Sequence, residues 1–440
     1  MPKITIEKMI YGGDGLGRLR DEASERGKAV FVPFVLEGEA IEFEVVEQRP
    51  GFARGKAVSL LSTSPQRVEP ACPYFGRCGG CQYQHASYEH QLAMKQQILR
   101  DALRRTAKVE LAVELKVHPS PPWNYRNRTR MKVTNQPEFT IGYFEHGSHR
   151  LLPIEQCPIS SPLINRALQS LRQSSEFRSL AGEIAEVQFF VNHDDGALLL
   201  EIYARRPAGA EAFRPAFQAL QAVLPELCGM ALFQFAGEDE GDETRGRFGS
   251  QRAAPEYLGE RGLKYVTREG SLRAAAGAFF QTNRFLVDEL LSTVLASHEG
   301  RRALDLYAGV GLFSVPLSRR FQGVTAVEIA PLSVDALRAN SGGKVEVVAA
   351  ATEQFLRGFR ASEALDLVVV DPPRAGLGEK TARALGRLKT SKLIYVSCDP
   401  ATLSRDLRVL VESGFHIEEA HLVDLFPQTF HIEAVFRLAR

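Results

Sequence analysis

The feature that most constrains this chain is the regular alternation of strand-like and helix-like segments from about Leu304 onward. Strand-like runs fall at 303–307, 323–329, 345–348, 365–371 and 393–398, with helix-like segments between them. A βαβ series of this kind predicts a parallel sheet with right-handed crossovers. Ligands of open parallel sheets sit beyond the carboxyl ends of the strands. Gly309, Glu328, Asp371 and Cys398 all fall at such ends, so they are expected to face one crevice.

The first strand runs into Asp305-Leu306-Tyr307-Ala308-Gly309-Val310-Gly311. Glycines at 309 and 311 let a ligand approach the backbone closely. A dinucleotide fingerprint needs a third glycine at 314, where this chain has Ser314. Glu328 closes the next strand, placed to accept hydrogen bonds from ribose hydroxyls. The pattern predicts an adenosine cofactor without a pyrophosphate cradle; a tight turn with a solvated glutamate is the alternative.

Two further motifs carry chemistry: Asp371-Pro372-Pro373-Arg374 and Val396-Ser397-Cys398-Asp399-Pro400. Pro400 suits the first turn of a helix. A thiol near a helix N-terminus has a lowered pKa and more thiolate, so Cys398 is a candidate nucleophile. A buried structural cysteine is the competing reading. Glu433, in Phe430-His431-Ile432-Glu433, is the candidate base; its alternative is a solvated carboxylate on an edge strand.

Upstream, residues 1–62 read as short strands around a Gly-rich turn, which suggests a small β-barrel. A Pro- and Cys-rich loop covers 63–83, and a helical stretch follows at 89–105. Residues 115–270 look mixed, with strands at 187–191 and 197–203; the polar stretch 237–251 is expected to be a mobile loop. Cys72, Cys78 and Cys81 crowd together, with Cys157 far downstream. In a long chain expected to be cytosolic they point to a metal or cluster, not to disulfides. Four thiolates suit a [4Fe–4S] cluster or a tetrahedral zinc. Cys228 reads as a core residue.

No apolar run is long enough to span a bilayer and no secretory h-region opens the chain, so a cytoplasmic protein with no membrane partner is expected. The net charge of +1, from 54 basic and 53 acidic residues, neither demands nor excludes nucleic acid. Any RNA surface must be local. In the segment 123–132, a strand would put Arg126, Arg128, Arg130 and Lys132 on one face. That stripe could track phosphates, with Trp123 and Tyr125 available for stacking; a solvated charged face is the alternative.

Taken in order, these motifs resemble the RNA uridine-5-methyltransferase family of ribosomal and transfer RNA enzymes, over nearly the whole chain. The segment Ala278-Phe279-Phe280-Gln281-Thr282-Asn283 is similar to the one that introduces the family's methyltransferase domain. The resemblance implies three parts: an OB-like TRAM barrel over 1–62, a central mixed α+β domain with an iron–sulfur loop over 63–270, and a Rossmann-like class I methyltransferase domain over 271–440. It also implies that the 89–105 helix packs on the methyltransferase domain. By position, Cys398 matches the nucleophile and Glu433 the base. Gln281, Tyr307, Gly309, Gly311, Glu328 and Asp371 match the S-adenosyl-L-methionine site, and Phe279 the residue stacking near a flipped uracil. Cys72, Cys78, Cys81 and Cys157 resemble the ligands of the ribosomal branch's [4Fe–4S] cluster. Leu312 and Ala351 stand where many or some relatives carry polar residues.

The implied reaction starts from an unreactive uracil carbon 5. Thiolate addition at carbon 6 gives an enolate that makes carbon 5 nucleophilic toward a sulfonium methyl. The target base must leave its stack, so a loop or single-stranded RNA is expected. Ribosomal RNA is favoured over transfer RNA by family analogy, and a monomer is expected. An amino-methyltransferase would carry an aromatic residue where this chain has Arg374, and would leave Cys398 without a role. A non-catalytic ribosome-assembly factor would need neither Cys398 nor Glu433.

Overall fold

The computed structural model describes residues 1–21, 24–206, 209–235, 254–359 and 364–440; the expected loop at 237–251 lies outside the described residues. The N-terminal strands β1 (Lys3–Met9), β2 (Asp14–Asp21), β3 (Ser24–Pro33), β4 (Ala40–Gln48) and β5 (Phe52–Ser62) close a barrel in the order β1-β2-β3-β5-β4. β1 pairs back onto β4, and β3 and β5 run parallel. This is an OB-like path. Alternation explains it locally: Ile4 and Ile6 point inward and meet Val30, Val32, Ile41 and Phe43.

The chain then crosses to the C-terminal sheet before building the central one. The helix Tyr88–Ala102 extends through a π-turn to Ala107, and β6 (Leu115–His118) pairs parallel with a C-terminal strand. Residues 63–270 therefore do not stay in one layer, because β6 covers what would otherwise be an open sheet edge. The central sheet contains β7 (Arg128–Thr134), β8 (Thr140–Phe144), β9 (Leu151–Pro153), β10 (Ile184–Val191), β11 (Leu198–Ala204), β12 (Leu227–Gln234) and β13 (Glu256–Gly259). Its order is β13-β12-β11-β10-β7-β8-β9. A hairpin, β14 (Gly262–Thr267) and β15 (Gly270–Ala275), leads on to the last unit.

That unit comprises β16 (Gly300–Leu306), β17 (Phe321–Glu328), β18 (Glu346–Ala349), β19 (Leu367–Val370), β20 (Lys392–Ser397), β21 (His416–Val423) and β22 (Ala434–Ala439). The sheet order is β18-β17-β16-β19-β20-β22-β21-β6. β18 to β20 run parallel, as the βαβ pattern predicts, and β22 enters antiparallel between β20 and β21. All four residues of β19 are buried. Such apolar runs mark strands covered on both faces. No helix among the described residues is long and apolar enough to cross a membrane.

A buried ion pair locks the first helix onto this unit. Lys95 Nζ donates to Asp424 Oδ1 at 2.6 Å and to the Phe426 carbonyl at 2.8 Å. Both side chains are essentially inaccessible. Tyr88 Oη donates to the other Asp424 oxygen at 2.9 Å, and Gln91 bonds Gln428. Burial pulls the Lys95 pKa down, while Asp424 opposes the shift. Lys95→Met strands the Asp424 carboxylate in the core. We expect it to lower unfolding free energy by roughly 3–5 kcal/mol in denaturant titrations. Lys95→Met combined with Asp424→Leu should recover much of that loss; a single variant as stable as wild type would refute the assignment.

Candidate active site

The strand register builds the crevice. Leu306 lies beside Val327 and Val370, and Val370 beside Tyr395. Tyr307, Glu328, Asp371 and Cys398 therefore line the same edge of the sheet. The chain leaves β16 through Tyr307 at φ +64° and Gly309 at φ +55°. A positive φ is costly for an aromatic residue, and such strain collects at functional turns. A Cβ added at Gly309 would meet nothing within 4 Å, so this backbone faces open space; one at Gly311 would strike Leu337. Glu328 Oε2 accepts from Gly309 N at 2.8 Å, and Oε1 from Ile329 N and Ala330 N at 2.8 and 2.7 Å. A carboxylate has about four acceptor positions, which leaves room for a ribose hydroxyl. Gln281 is buried. Leu312 is buried in the main core, while Ala351 caps the helix Thr352–Gly358.

The pairing of β20 with β22 places Ala434 opposite Ser397. Glu433 thus arrives beside Cys398 from the antiparallel strand. It is buried, not solvated at a sheet edge. Burial, then the Asp371 carboxylate, pushes the Glu433 pKa well up, with Arg374 opposing. Burial, then Asp305, pushes Asp371 up to about 7. Asp305 rises to about 7 as well, chiefly through burial; its Oδ1 has no hydrogen-bond partner, while Ser314 donates to Oδ2.

The expected lowering of the Cys398 pKa is not what the structure shows. The helix Pro400–Glu412 does start there, with Pro400 at its first position. But the Asp399 carboxylate occupies its amides, accepting from Ala401 N and Thr402 N at 2.9 and 2.8 Å. Burial, then Glu433 and Asp371, pushes the thiol up; Arg374 opposes them. Arg374, read from sequence only as a missing aromatic, is thus the cation that acts on both Cys398 and Glu433. Its Nη2 lies 3.3 Å from His431 Nε2. Burial and the cations Arg374, Arg126 and Lys95 pull His431 down to about 3, so this imidazole is neutral.

Phe279 stands 55% exposed, as a stacking residue would. The segment before it is clamped: Arg128 donates to the Ala278 carbonyl and, at 2.8 Å, to Glu201 Oε1, which accepts from Gly277 N at 3.1 Å. This corrects the reading of the cationic stripe. Arg128, Arg130 and Lys132 do share a face of β7, but Glu201 and Glu186 neutralise them there. Arg130 also bonds Gln188 and Tyr203. Tyr125 is fully buried and Trp123 half-buried. Arg130 and Lys132 keep about a quarter of their side chains exposed, 23% each, but their charges are paired with Glu186 across the β10 neighbour.

Cys72, Cys78, Cys81 and Cys157 line one cavity of about 100 Å³, together with Arg126 and Tyr143. Burial pushes Cys78 up to about 11, and the other thiols add to it. Arg126 Nε is buried there without a partner. Among the described residues no three His, Cys, Asp or Glu side chains are grouped to hold a metal ion, so the structure shows a shared thiol cavity. Cys228 lies outside it, its Sγ donating to the Leu198 carbonyl at 3.2 Å.

The sheet order, glycine turn and strand-end acid are those of a methyltransferase fold. The tRNA (Uracil-5-)-methyltransferase family matches residues 87–440. The chain is 31% identical to an uncharacterized RNA methyltransferase of Aquifex aeolicus, over 98% of this chain and 97% of that one. It is 30% identical to the 23S rRNA (uracil(1939)-C(5))-methyltransferase RlmD of Burkholderia pseudomallei, over 99% and 94%. A tRNA (uracil-54, C5)-methyltransferase from Pyrococcus abyssi, solved with S-adenosyl-L-homocysteine, superposes with TM-score 0.74 at 24% identity over 99% of each chain. The chain belongs to the RNA uracil-5-methyltransferase family.

The raised thiol has a direct consequence. In the ligand-free protein, Cys398 should alkylate slowly at neutral pH, since the thiolate is the nucleophile. Glu433→Gln should speed alkylation wherever the wild-type carboxylate is ionised, because it removes a negative charge that raises the thiol. Peptide mapping by mass spectrometry reads this; a Cys398 that reacts faster than an ordinary thiol would contradict the electrostatics.

Proposed function

We propose that the protein transfers a methyl group from S-adenosyl-L-methionine to carbon 5 of a uridine in RNA, with Cys398 as nucleophile and Glu433 as base. The supporting observation is the Ser397–Ala434 pairing, which sets thiol and carboxyl together at the crevice that Gly309 and Glu328 enter. Glu328 and the open backbone at Gly309 hold the adenosine; Gln281, Tyr307, Gly311 and Asp371 complete its surroundings. S-adenosyl-L-methionine supplies the methyl group and, as a sulfonium, a positive charge.

Phe279 stacks on a uracil turned out of its helix. The Cys398 sulfur bonds to carbon 6, its proton passing to one carboxyl of the Asp371–Glu433 pair. Carbon 5 then takes the methyl group. Glu433 removes the carbon 5 proton, the electrons reform the 5,6 double bond, and the sulfur leaves. A carboxylate whose pKa burial raises is a stronger base, which suits that step. Ribosomal RNA, the substrate named for the Burkholderia relative, is our first choice over transfer RNA. The barrel acts as an RNA-binding TRAM-like module.

A [4Fe–4S] cluster would be held by Cys72, Cys78, Cys81 and Cys157; the reading is supported by the one cavity that all four line and by the unpartnered Arg126 Nε, able to donate to a thiolate or sulfide. Such a cluster would fasten the 72–83 loop to the central domain. Anaerobically purified protein should yield iron and acid-labile sulfide, both lost in Cys81→Ser; zinc alone would contradict the assignment.

The mechanism is tested by trapping. With RNA and S-adenosyl-L-methionine, Glu433→Gln should accumulate a covalent RNA–protein adduct that turns over slowly. Cys398→Ala should form none, yet still bind RNA. An adduct in Cys398→Ala, or methylation retained by it, would remove the thiol from the mechanism.

A further inference from the structure

The N-terminal barrel reaches the reacting residues. Tyr11 sits in the β1–β2 turn, and its Oη donates to the Cys398 carbonyl at 3.4 Å. Its ring meets Phe430 edge-on, with centroids 5.4 Å apart and planes at 84°. Phe430 in turn lies 4.3 Å from His431, the residue in contact with Arg374. One side chain of the barrel therefore touches both loops that carry the nucleophile and the base. The Asp399 carboxylate is also within its hydrogen-bonding reach, and burial followed by Asp399 pushes the Tyr11 pKa up, so its hydroxyl stays a donor.

The turn that presents Tyr11 requires glycine. Gly12 and Gly13 hold φ +107° and +98°, a conformation that side chains other than glycine rarely adopt. A Cβ at Gly13 would lie 2.8 Å from Cβ of Gln82. Gln82 itself bonds the other side of the loop: its N donates to the Gln428 carbonyl at 3.0 Å, and its Oε1 accepts from Phe430 N at 3.4 Å. Met9 and Leu36 of the barrel are buried in the same apolar cluster as Leu403 and Leu407 of the helix that follows Cys398. A module that only tethers RNA has no need of such contacts.

We propose that Tyr11 is a positioning residue of the methylation site, bracing the Cys398–Asp399 turn against Phe430 so that barrel docking is felt at the nucleophile. The inference rests on the uridine-methylation reading above. Its test uses the full chain and an RNA substrate carrying 5-fluorouridine, which lacks the carbon 5 proton and so traps the adduct after methyl transfer. Tyr11→Phe keeps the ring and removes the hydroxyl; Tyr11→Ala removes both.

Loss of the Tyr11 hydroxyl should slow adduct formation about three- to tenfold in Tyr11→Phe. Tyr11→Ala should lose more. RNA dissociation constant, KM for S-adenosyl-L-methionine and melting temperature should stay at wild-type values in Tyr11→Phe. Wild-type adduct rates in both variants would overturn the proposal, as would a loss confined to RNA affinity, which would make the barrel a tether. If the wild-type protein itself forms no adduct, the thiol mechanism fails and the proposal falls with it.

Discussion

The antiparallel register of β22 against β20 is the constraint on which the site depends. Ala434 lies opposite Ser397, so the residue before β22 and the residue after β20 emerge together. A slip of one residue would turn every side chain of β22 to the opposite face and carry Glu433 away from Cys398. The register is secured on both sides: β22 also pairs with β21, and its burial pattern leaves only Arg437 half-exposed. Arg437 is itself held by Glu419 and by the Thr293 carbonyl. A fully paired central strand is thus what fixes the distance between thiol and carboxyl.

The remaining units brace the loops leading into that strand. Lys95, Tyr88 and Gln91 grip Asp424, Phe426 and Gln428 from the first helix. Gln82 grips the same loop from the cysteine-rich segment, and Tyr11 from the barrel. Across the crevice, Arg128 and Glu201 of the central sheet hold Gly277 and Ala278 and thereby aim Phe279. Buried ion pairs contribute little net stability because desolvation offsets their attraction. Here they fix geometry, holding loops at positions that apolar packing alone would leave less defined.

The parallel strands were legible because each is a short apolar run closed by a polar motif. The crevice residues followed from strand ends alone, and the helix at Pro400 from its proline. What the sequence hid comes from partners distant in the chain. Arg128, Arg130 and Lys132 read as a solvent stripe because Glu186 and Glu201 stand on other strands; the alternation Glu186, Gln188 on β10 and Glu201, Tyr203 on β11 was the available signal. The Cys398 thiol was misread for the same reason. Its helix is local and visible, whereas burial in the folded crevice, and then Glu433 and Asp371 from separate strands, outweigh it. Tyr11 gave no signal, since nothing in a Gly-rich turn tells what its neighbour touches.

Burial and two neighbouring carboxyls hold the Cys398 pKa up, so on the proposed mechanism the thiol is activated as RNA and S-adenosyl-L-methionine bind. The central claim is that the site then methylates carbon 5 of uridine. The most direct measurement is to incubate the protein with methyl-labelled S-adenosyl-L-methionine and unmodified ribosomal or transfer RNA, digest the RNA and identify the labelled nucleoside by mass spectrometry. Label in 5-methyluridine is the predicted result. Label in a methylated adenosine or cytidine would contradict it.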